Sequence, residues 1–512
     1  MRTVAPAFLF FLAFAVLLQI LGGAFTADFG GSPDEPAHYV TGLMVRDYLA
    51  TLPWPSPMPF AENFYRHYPI VAIGHWPPMF YGVQAVWTLG FGTSKESILL
   101  LIAVLAAAVA AVLFILWRPR IGALGAGALA LGFLAAPVVQ QHVRMVMAEM
   151  LLVLLVMLAA VAYKRYLDTE GWRDAVAFGV LSSAAILTKP NGLALALLPM
   201  FAVIAMRRLE LLKRSSFWLP AVIVIALCGP WYVLTFHLAR EGWSTSYSPS
   251  WLIRQPALVN GQFLARLIGL PVFGLAVSGM LYELWPRRSR VVGTDAAVMA
   301  ALIASVWTFH SFIAPVRDPR HLIPAIPPLL HFSAVAILAV GARAGVGADA
   351  GRRIVTVAAS GLAVLLVVAG LRAHTKPYVG ADTAVDEFLR PSSGSSVVLV
   401  SSEGYGEGVF IAELASREQR PGHRVVRATK VLSESNWDRS RYRLLYSSPE
   451  DADRVLAQEG VTFIVLDVGG ESTRPAVPHH RQLLALTDNP ARWRKLQSER
   501  RSQFHVYQAV GR

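Results

Sequence analysis

Apolar runs long enough to cross a lipid bilayer recur along this chain from residue 7 to residue 371. A hydrocarbon core about 30 Å thick is crossed by roughly 20 apolar residues in a helix. Of the 512 residues, 55% are hydrophobic and 15% charged, which excludes an ordinary soluble domain. We therefore expect an α-helical polytopic membrane protein with about eleven spans. The predicted spans are 7–25, 97–117, 121–139, 145–163, 174–188, 192–206, 217–237, 265–284, 295–313, 321–340 and 354–371.

The composition changes after the last apolar run, where charged residues become frequent and apolar runs shrink to strand length. "SVVLVSSEGYGEGVFIAELASRE" predicts a strand, a glycine turn and a helix. "SPEDADRVLAQEGVTFIVLDVGG" predicts a capped helix and a buried strand, and "FHVYQAV" a last strand. We expect a transmembrane domain over 1–372, which includes a long outer loop at 26–96, and a small α/β domain over 373–512.

The net charge of +13 is distributed in a way that argues against nucleic acid as a partner. The basic residues cluster in short loops between apolar runs, near residues 118, 164, 207, 287 and 343, which is the pattern that orients membrane helices. With Met1 in the cytoplasm, all these clusters fall inside. We predict a multi-pass protein of the cell (inner) membrane, whose 26–96 loop and C-terminal domain are extracytoplasmic.

Four cations disregard this orientation rule and lie at the predicted outer ends of spans: Arg144, Lys189, Arg317 and Arg320. Lys189 stands in "LTKPNG", where Pro190 breaks the helix. The two arginines after residue 315 stand in "FIAPVRDPRHLIP", where Asp318 is expected to pair with one of them. Interfacial snorkelling explains each cation singly, but a set on one face needs another reason.

Two acids, Asp34 and Glu35, follow the first span in "FGGSPDEPAHYVTG". Pro36 favours the start of a helix, and the residue before a proline prefers an extended backbone. We expect the two side chains to point to opposite sides, one toward a pocket and the other capping the helix. The alternative is that both acids form a solvated cap.

A third acid, Glu149, follows "QQHVRMVMA" within an apolar run. In a continuous helix it would lie about 7 Å below Arg144, at a depth where a carboxylate is costly. It is therefore a candidate functional group, and a structural pair with Arg144 or another cation is the alternative.

Acids and cations gathered on one membrane face suit the transfer of a group from a lipid phosphate. A cationic cluster binds a phosphate and stabilises it as it leaves, and a carboxylate takes a proton from the attacking group. A transporter or flippase for a phosphorylated lipid is the main rival, although it predicts ionisable groups spread through the bilayer. A scaffold that only binds a partner gives no reason for the off-rule cations.

Five motifs resemble the C-type (GT-C) integral-membrane glycosyltransferases, in the group that contains the protein O-mannosyltransferases and the lipid A aminoarabinose transferases. They are "PDEPAHY", "HWPPMFY", "RMVMAEM", "LTKPNG" and "RDPRHLIPAIPPL", within residues 1 to about 340. The resemblance implies GT-C architecture, a polyprenyl-phosphate sugar donor, a lipid, glycan or protein acceptor, and inversion at the anomeric carbon.

By this resemblance Asp34 is the catalytic carboxylate, with Glu35 as the substitute, and Glu149 is a second acid. The lipid phosphate would be bound by Lys189 with Arg320 or Arg317, and Arg144 is a further candidate. His38, His75 and Tyr81 are candidate substrate contacts. Two departures stand out: Trp76 separates His75 from Pro77, where many relatives read His-Pro-Pro, and His321 replaces a tyrosine.

Some C-type enzymes use a divalent metal and others do not. The sequence has no closely spaced set of His, Asp and Glu ligands, so we expect no required metal and no cofactor.

Overall fold

A computed structural model describes residues 4–243, 249–285, 292–315, 318–373, 376–392, 394–402, 405–435, 441–469, 477–497 and 500–511. Its contacts divide the chain into two compact units. Unit 1 comprises Met1–Gly22, Gly74–Phe80 and Leu100–Thr375, and unit 2 comprises Gly23–Ile73, Tyr81–Leu99 and Lys376–Arg512. Most of the 26–96 loop thus belongs with the C-terminal residues, while the predicted domain boundary after residue 372 stays a prediction.

Unit 1 is helical, as its apolar composition predicts. Among the residues that the structure describes, seven helices are long and apolar enough to cross a membrane, and an eighth candidate is a pair bent by 106° at Gly269. The predicted helical membrane architecture is confirmed, and the count of about eleven spans stays a prediction. The helices are Val4–Leu21, Lys95–Ala135, Pro137–Val143, Glu149–Thr169, Trp172–Thr188, Pro190–Ala196, Leu198–Met206, Leu209–Lys213, Ser215–Trp243, Pro249–Ile268, Leu270–Leu284, Thr294–Thr308, Phe309–Ile313, Pro319–Ala325, Ile326–Arg343 and Ala348–Ala373.

Breaks in these helices follow from proline and glycine. The Lys95–Ala135 segment contains Pro119 and a left-handed Gly122 (φ 77°), so it is two helices joined at a kink, as the spans 97–117 and 121–139 predict. Gly269 has a φ of 85°, which only glycine adopts readily.

Unit 2 contains the small α/β fold predicted for the C-terminal residues. Its strands are β1 Val397–Ser401, β2 Arg424–Arg427, β3 Ser433–Glu434, β4 Arg443–Leu444, β5 Phe463–Asp467, β6 Trp493–Lys495 and β7 Phe504–Ala509. The main sheet has the order β2-β1-β5-β7-β6, in which β2, β1 and β5 are parallel and the other pairings are antiparallel. A separate antiparallel pair joins β3 and β4.

Helices contact this sheet, and further helices lie in the 26–96 segment of the same unit. Ser448 caps the Pro449–Gln458 helix by accepting a hydrogen bond from the Asp451 amide, as predicted for that segment. Leu399, Ile464 and Trp493 are buried in the core. The helices that lie wholly or mainly in unit 2 are Glu35–Ala50, Pro57–His67, Met79–Phe91, Ala381–Leu389, Gly406–Arg417, Ala428–Val431, Pro449–Gln458 and Pro478–Thr487.

Gly279 allows two helices of unit 1 to cross closely, and this generates a first prediction. A Cβ at Gly279 would lie 2.0 Å from the Phe332 carbonyl oxygen, whereas a Cβ at Gly274 in the same helix would meet nothing within 4 Å. We expect Gly279→Ala to cost about 1–3 kcal/mol through overpacking, and Gly274→Ala to be neutral or stabilising by about 0.4–1 kcal/mol. Thermal unfolding in detergent measures both variants, and equal melting temperatures would contradict the close crossing.

Candidate active site

Asp34 and Glu35 begin the first helix of unit 2, but not in the predicted conformation. Asp34 occupies the N-cap position, Glu35 is the first helical residue, and the Asp34 side chain makes no capping hydrogen bond. The expected extended Glu35 and the expected cap are therefore wrong. The reason is tertiary: the Glu35 carboxylate accepts a hydrogen bond from Gly31 N (2.9 Å) and pairs with Lys376 Nζ (2.7 Å), which holds it in the helical turn.

Burial separates the roles of the two acids. The side chains of Glu35 and Lys376 are 0% and 2% exposed, so the Glu35 carboxylate is occupied in a buried ion pair. Asp34 is only half-buried. Of the two, Asp34 is therefore the carboxylate that solvent or a substrate can reach.

His38 and Tyr81, both predicted as substrate contacts, are buried and joined to each other. The Tyr81 hydroxyl and His38 Nδ1 lie 2.9 Å apart in a hydrogen bond. Burial, and secondly the Asp34 carboxylate, raise the pKa of Tyr81 well above its usual value, so the hydroxyl stays protonated at neutral pH. Asp34, His38 and Tyr81 thus form the outer cluster, at the start of the Glu35–Ala50 helix. His75 belongs to unit 1, where it is exposed in a turn.

A second group of candidates, the inner cluster, lies within unit 1 around the predicted helix break at Lys189. The Trp172–Thr188 helix ends before Lys189, which is extended (φ −157°, ψ 139°), and a 3₁₀ segment follows from Pro190. The chain folds back so tightly that a Cβ at Gly192 would lie 2.6 Å from the Ile186 nitrogen. The "KPNG" sequence therefore places an ammonium at a fixed interruption between helices.

Glu149 is the partner of this ammonium. Its Oε1 lies 2.5 Å from Lys189 Nζ, and the Glu149 side chain is 2% exposed. Its other oxygen, Oε2, has no hydrogen-bond partner among the residues that the structure describes. The structure therefore shows the alternative stated for Glu149, a structural pair with a cation, and that cation is Lys189.

The continuous helix predicted from Arg144 to Glu149 is wrong, because the helix begins only at Glu149. Gln19 Nε2 donates to the Val143 carbonyl (2.8 Å). A continuing helix would need this carbonyl as an acceptor for one of its own backbone hydrogen bonds. Arg144 is buried and donates to the Leu18 carbonyl (3.2 Å) and to Gln140 Oε1 (2.8 Å). These contacts tie Arg144 to the first membrane helix.

Arg320 and two histidines complete the inner cluster. Arg320 pairs with Asp318 at 2.9 Å, as predicted for one of the two arginines. Arg317 lies outside the described residues. The rings of His310 and His321 are 5.2 Å apart, and the charges of Lys189 and Arg320 both act on His321. The inner cluster therefore combines two cations, one buried carboxylate and imidazole rings.

Comparison with known proteins identifies the fold that holds these clusters. Residues 75–233 match the family model described as dolichyl-phosphate-mannose-protein mannosyltransferase. A crystal structure of ArnT from Cupriavidus metallidurans bound to undecaprenyl phosphate has a TM-score of 0.62 at 16% identity, over 98% of both chains. The chain has the GT-C fold. The resemblance predicted from the five motifs is thereby confirmed.

Two further GT-C structures support this conclusion. The Archaeoglobus fulgidus oligosaccharyltransferase in complex with Zn and sulfate has a TM-score of 0.56 at 14% identity, over 90% of this chain and 68% of that chain. Arabinofuranosyltransferase AftD from Mycobacteria has a TM-score of 0.51 at 14% identity, over 100% of this chain and 42% of that one. No curated protein matches the sequence significantly.

The structure adds site residues that the GT-C motifs did not single out, namely His142, His310 and Lys376. His142 is buried and lies within electrostatic range of Glu149, and His310 is buried within the 295–313 run. An ionisable residue inside an apolar run is a signal that could have indicated His310. Lys376 stands just after the last apolar run and carries no comparable signal.

No group of three His, Cys, Asp or Glu side chains within the described residues is arranged to hold a metal ion. Lys189 and Arg320 are the lysine and arginine side chains that the described part of the chain contributes to the inner cluster.

The Glu149–Lys189 pair generates a second prediction, on stability. Lys189→Met leaves a buried carboxylate without its cation, so we expect a loss of about 3–5 kcal/mol. The double variant Glu149→Gln with Lys189→Met removes both charges and is expected to recover much of that loss. Thermal unfolding of the two single variants and the double variant measures the coupling, and simple additivity would contradict a buried ion pair.

Proposed function

We propose that this protein is a membrane glycosyltransferase that moves a sugar from a polyprenyl-phosphate donor to a lipid, glycan or protein acceptor. The main support is the similarity of the fold to ArnT bound to undecaprenyl phosphate over 98% of both chains. The matched mannosyltransferase model and an Archaeoglobus fulgidus AglB structure that contains a dolichol-phosphate (TM-score 0.53, 12% identity, 98% of this chain and 74% of that one) support the same donor class.

In the proposed reaction an acceptor hydroxyl or amine attacks the anomeric carbon of the donor sugar. The bond from that carbon to the phosphate oxygen breaks with inversion, and polyprenyl phosphate leaves as an anion. Asp34 accepts the proton of the attacking group, a role that its partial exposure supports. Lys189 and Arg320 bind the phosphate and stabilise the charge that develops on it, with Arg317 and Arg144 as further candidates.

The role predicted for Glu149, a second acid, stays a prediction. Its ion pair with Lys189 supports a different assignment, in which Glu149 fixes the ammonium at the helix break where the phosphate binds. A phosphate needs no general acid to leave, so a positioning role is chemically sufficient.

The charge pattern supports a location in the cell (inner) membrane. Basic loops near residues 118, 164, 207, 287 and 343 would face the cytoplasm, and the 26–96 loop and the C-terminal α/β domain would lie outside. Donor and acceptor would then meet on the extracytoplasmic side, where a lipid-linked sugar is the available activated donor.

The experiment that tests this function compares Asp34→Asn with wild type. Purified protein in detergent is incubated with a panel of polyprenyl-phosphate sugars and an envelope extract as acceptor, and released polyprenyl phosphate is measured. We expect Asp34→Asn to lower turnover by about 10²–10⁴-fold through loss of the general base. Glu62→Gln, at an exposed carboxylate in the same unit, is the matched control and is expected to retain turnover.

Several results would contradict the proposal. If the wild-type protein consumed no donor, the transporter alternative would be favoured. Transport needs two compartments, so a transporter in a detergent micelle would leave the donor unchanged. Full turnover by Asp34→Asn, with loss in Glu35→Gln, would move the catalytic role to Glu35. Full turnover by both would reject the mechanism.

The absence of a required metal is tested separately. Because Lys189 and Arg320 can neutralise the leaving phosphate, we expect turnover to persist after EDTA treatment and gel filtration. In Lys189→Met, by contrast, we expect turnover to fall by about 10²–10³-fold. A loss of activity on chelation that Mg²⁺ or Mn²⁺ restores would contradict this prediction.

A further inference from the structure

Lys376, which follows the last membrane helix Ala348–Ala373 closely in sequence, forms a buried ion pair with Glu35. Lys376 Nζ lies 2.7 Å from Glu35 Oε1, and the two side chains are 2% and 0% exposed. Removing both charges from water is costly, and a well-packed apolar pair would often be as stable. Stability alone therefore explains this pair poorly, and its position next to Asp34 indicates a functional reason.

The turn that carries Asp34 is closed by the same carboxylate. Glu35 Oε2 accepts a hydrogen bond from Gly31 N (2.9 Å), while the Asp34 amide donates to Ser32 Oγ (3.3 Å). Glu35 therefore contacts Lys376 with one oxygen and the start of the turn with the other. A displacement of the Glu35 carboxylate would be transmitted directly to the backbone of Asp34.

Asp28 fixes the other end of this segment to residues just beyond Lys376. Its Oδ2 accepts hydrogen bonds from Val379 N (2.7 Å) and Gly380 N (3.0 Å), and its Oδ1 from Asp382 N (3.3 Å). These donors lie at the start of the Ala381–Leu389 helix, where a carboxylate is favoured. Residues 28 and 35 are thus both bound to the short segment 376–382.

Phe29 fills the space between these two attachments. It is fully buried and stacks on Tyr39 with ring centroids 4.3 Å apart. Lys376 Nζ lies 5.7 Å from its ring centroid and Lys95 Nζ 5.1 Å. Lys95 also donates to the Ala27 carbonyl (2.9 Å), which adds a contact just before Asp28.

We propose that segment 376–382 is a positioning element of the active site, in which Lys376 acts through Glu35 to hold the Asp34 carboxylate in its reactive place. This inference rests on the proposed function, because it presupposes that Asp34 is the base. Lys376 is then a positioning residue and touches no substrate. A displacement of about 1 Å in a reacting group can cost about 10²-fold in rate, so this attachment affects kcat rather than donor binding.

The matched control is a second buried ion pair of the same unit, Arg420 with Asp47. Its atoms are 2.7 Å apart, and its side chains are 7% and 14% exposed. Asp47 lies twelve residues after Glu35 in the same helix, about 18 Å along its axis. If the Glu35–Lys376 pair contributed only to stability, breaking it would lower the melting temperature and leave kcat unchanged, as we expect for the control pair.

The experiment measures kcat, the KM for a polyprenyl-phosphate sugar and the melting temperature of full-length Lys376→Met and Arg420→Met. We expect both variants to melt at lower temperature. Lys376→Met is expected to lose about 10–100-fold in kcat with little change in KM, while Arg420→Met retains the wild-type kcat.

A folded Lys376→Met with the kcat of Arg420→Met would overturn the inference. If Lys376→Met does not fold, Lys376→Arg and Glu35→Gln are compared with Asp47→Asn in the same way, and equal kcat values again overturn it. Asp34→Asn is assayed in parallel. Full turnover by that variant rejects Asp34 as the base, which the proposed function assumes, whereas its inactivity beside a normal Lys376→Met rejects only the positioning role.

Discussion

A charge removed from water must be balanced by another charge nearby, and this requirement organises both candidate clusters. Glu149 and Lys189 satisfy it within unit 1, and Glu35 and Lys376 satisfy it between the first and the last segment of unit 2. Each pair fixes a backbone feature beside a candidate functional group. In the inner cluster this feature is the helix break at Lys189, and in the outer cluster it is the turn that carries Asp34.

Local sequence patterns predicted much of the fold because they report local physics. Apolar runs predicted the membrane helices, proline and glycine predicted the break at Lys189, and short apolar runs with a capped helix predicted the α/β elements. The start of the helix at Glu149 could not be predicted this way. It depends on Gln19, which bonds to a carbonyl 124 residues away in sequence.

The candidate site was predictable in its residue types and less so in its contacts. The motifs singled out Asp34, Glu149, Lys189 and Arg320, but no local rule distinguishes Asp34 from Glu35. That distinction comes from Lys376, a single lysine without a motif around it. At 16% identity to ArnT the fold persists through its hydrophobic pattern, whereas such individual pairings have to be read from the chain itself.

The separation of 341 positions between Glu35 and Lys376 in the sequence has a consequence for biosynthesis. At about 5–20 residues per second, a ribosome needs roughly 17–70 s to make the lysine after it has made the glutamate. Until then Glu35 lacks the lysine that pairs with it in the folded protein, and its carboxylate stays hydrated. The turn that carries Asp34 could therefore reach its folded arrangement only after the Ala348–Ala373 helix and the residues that follow it have been synthesised.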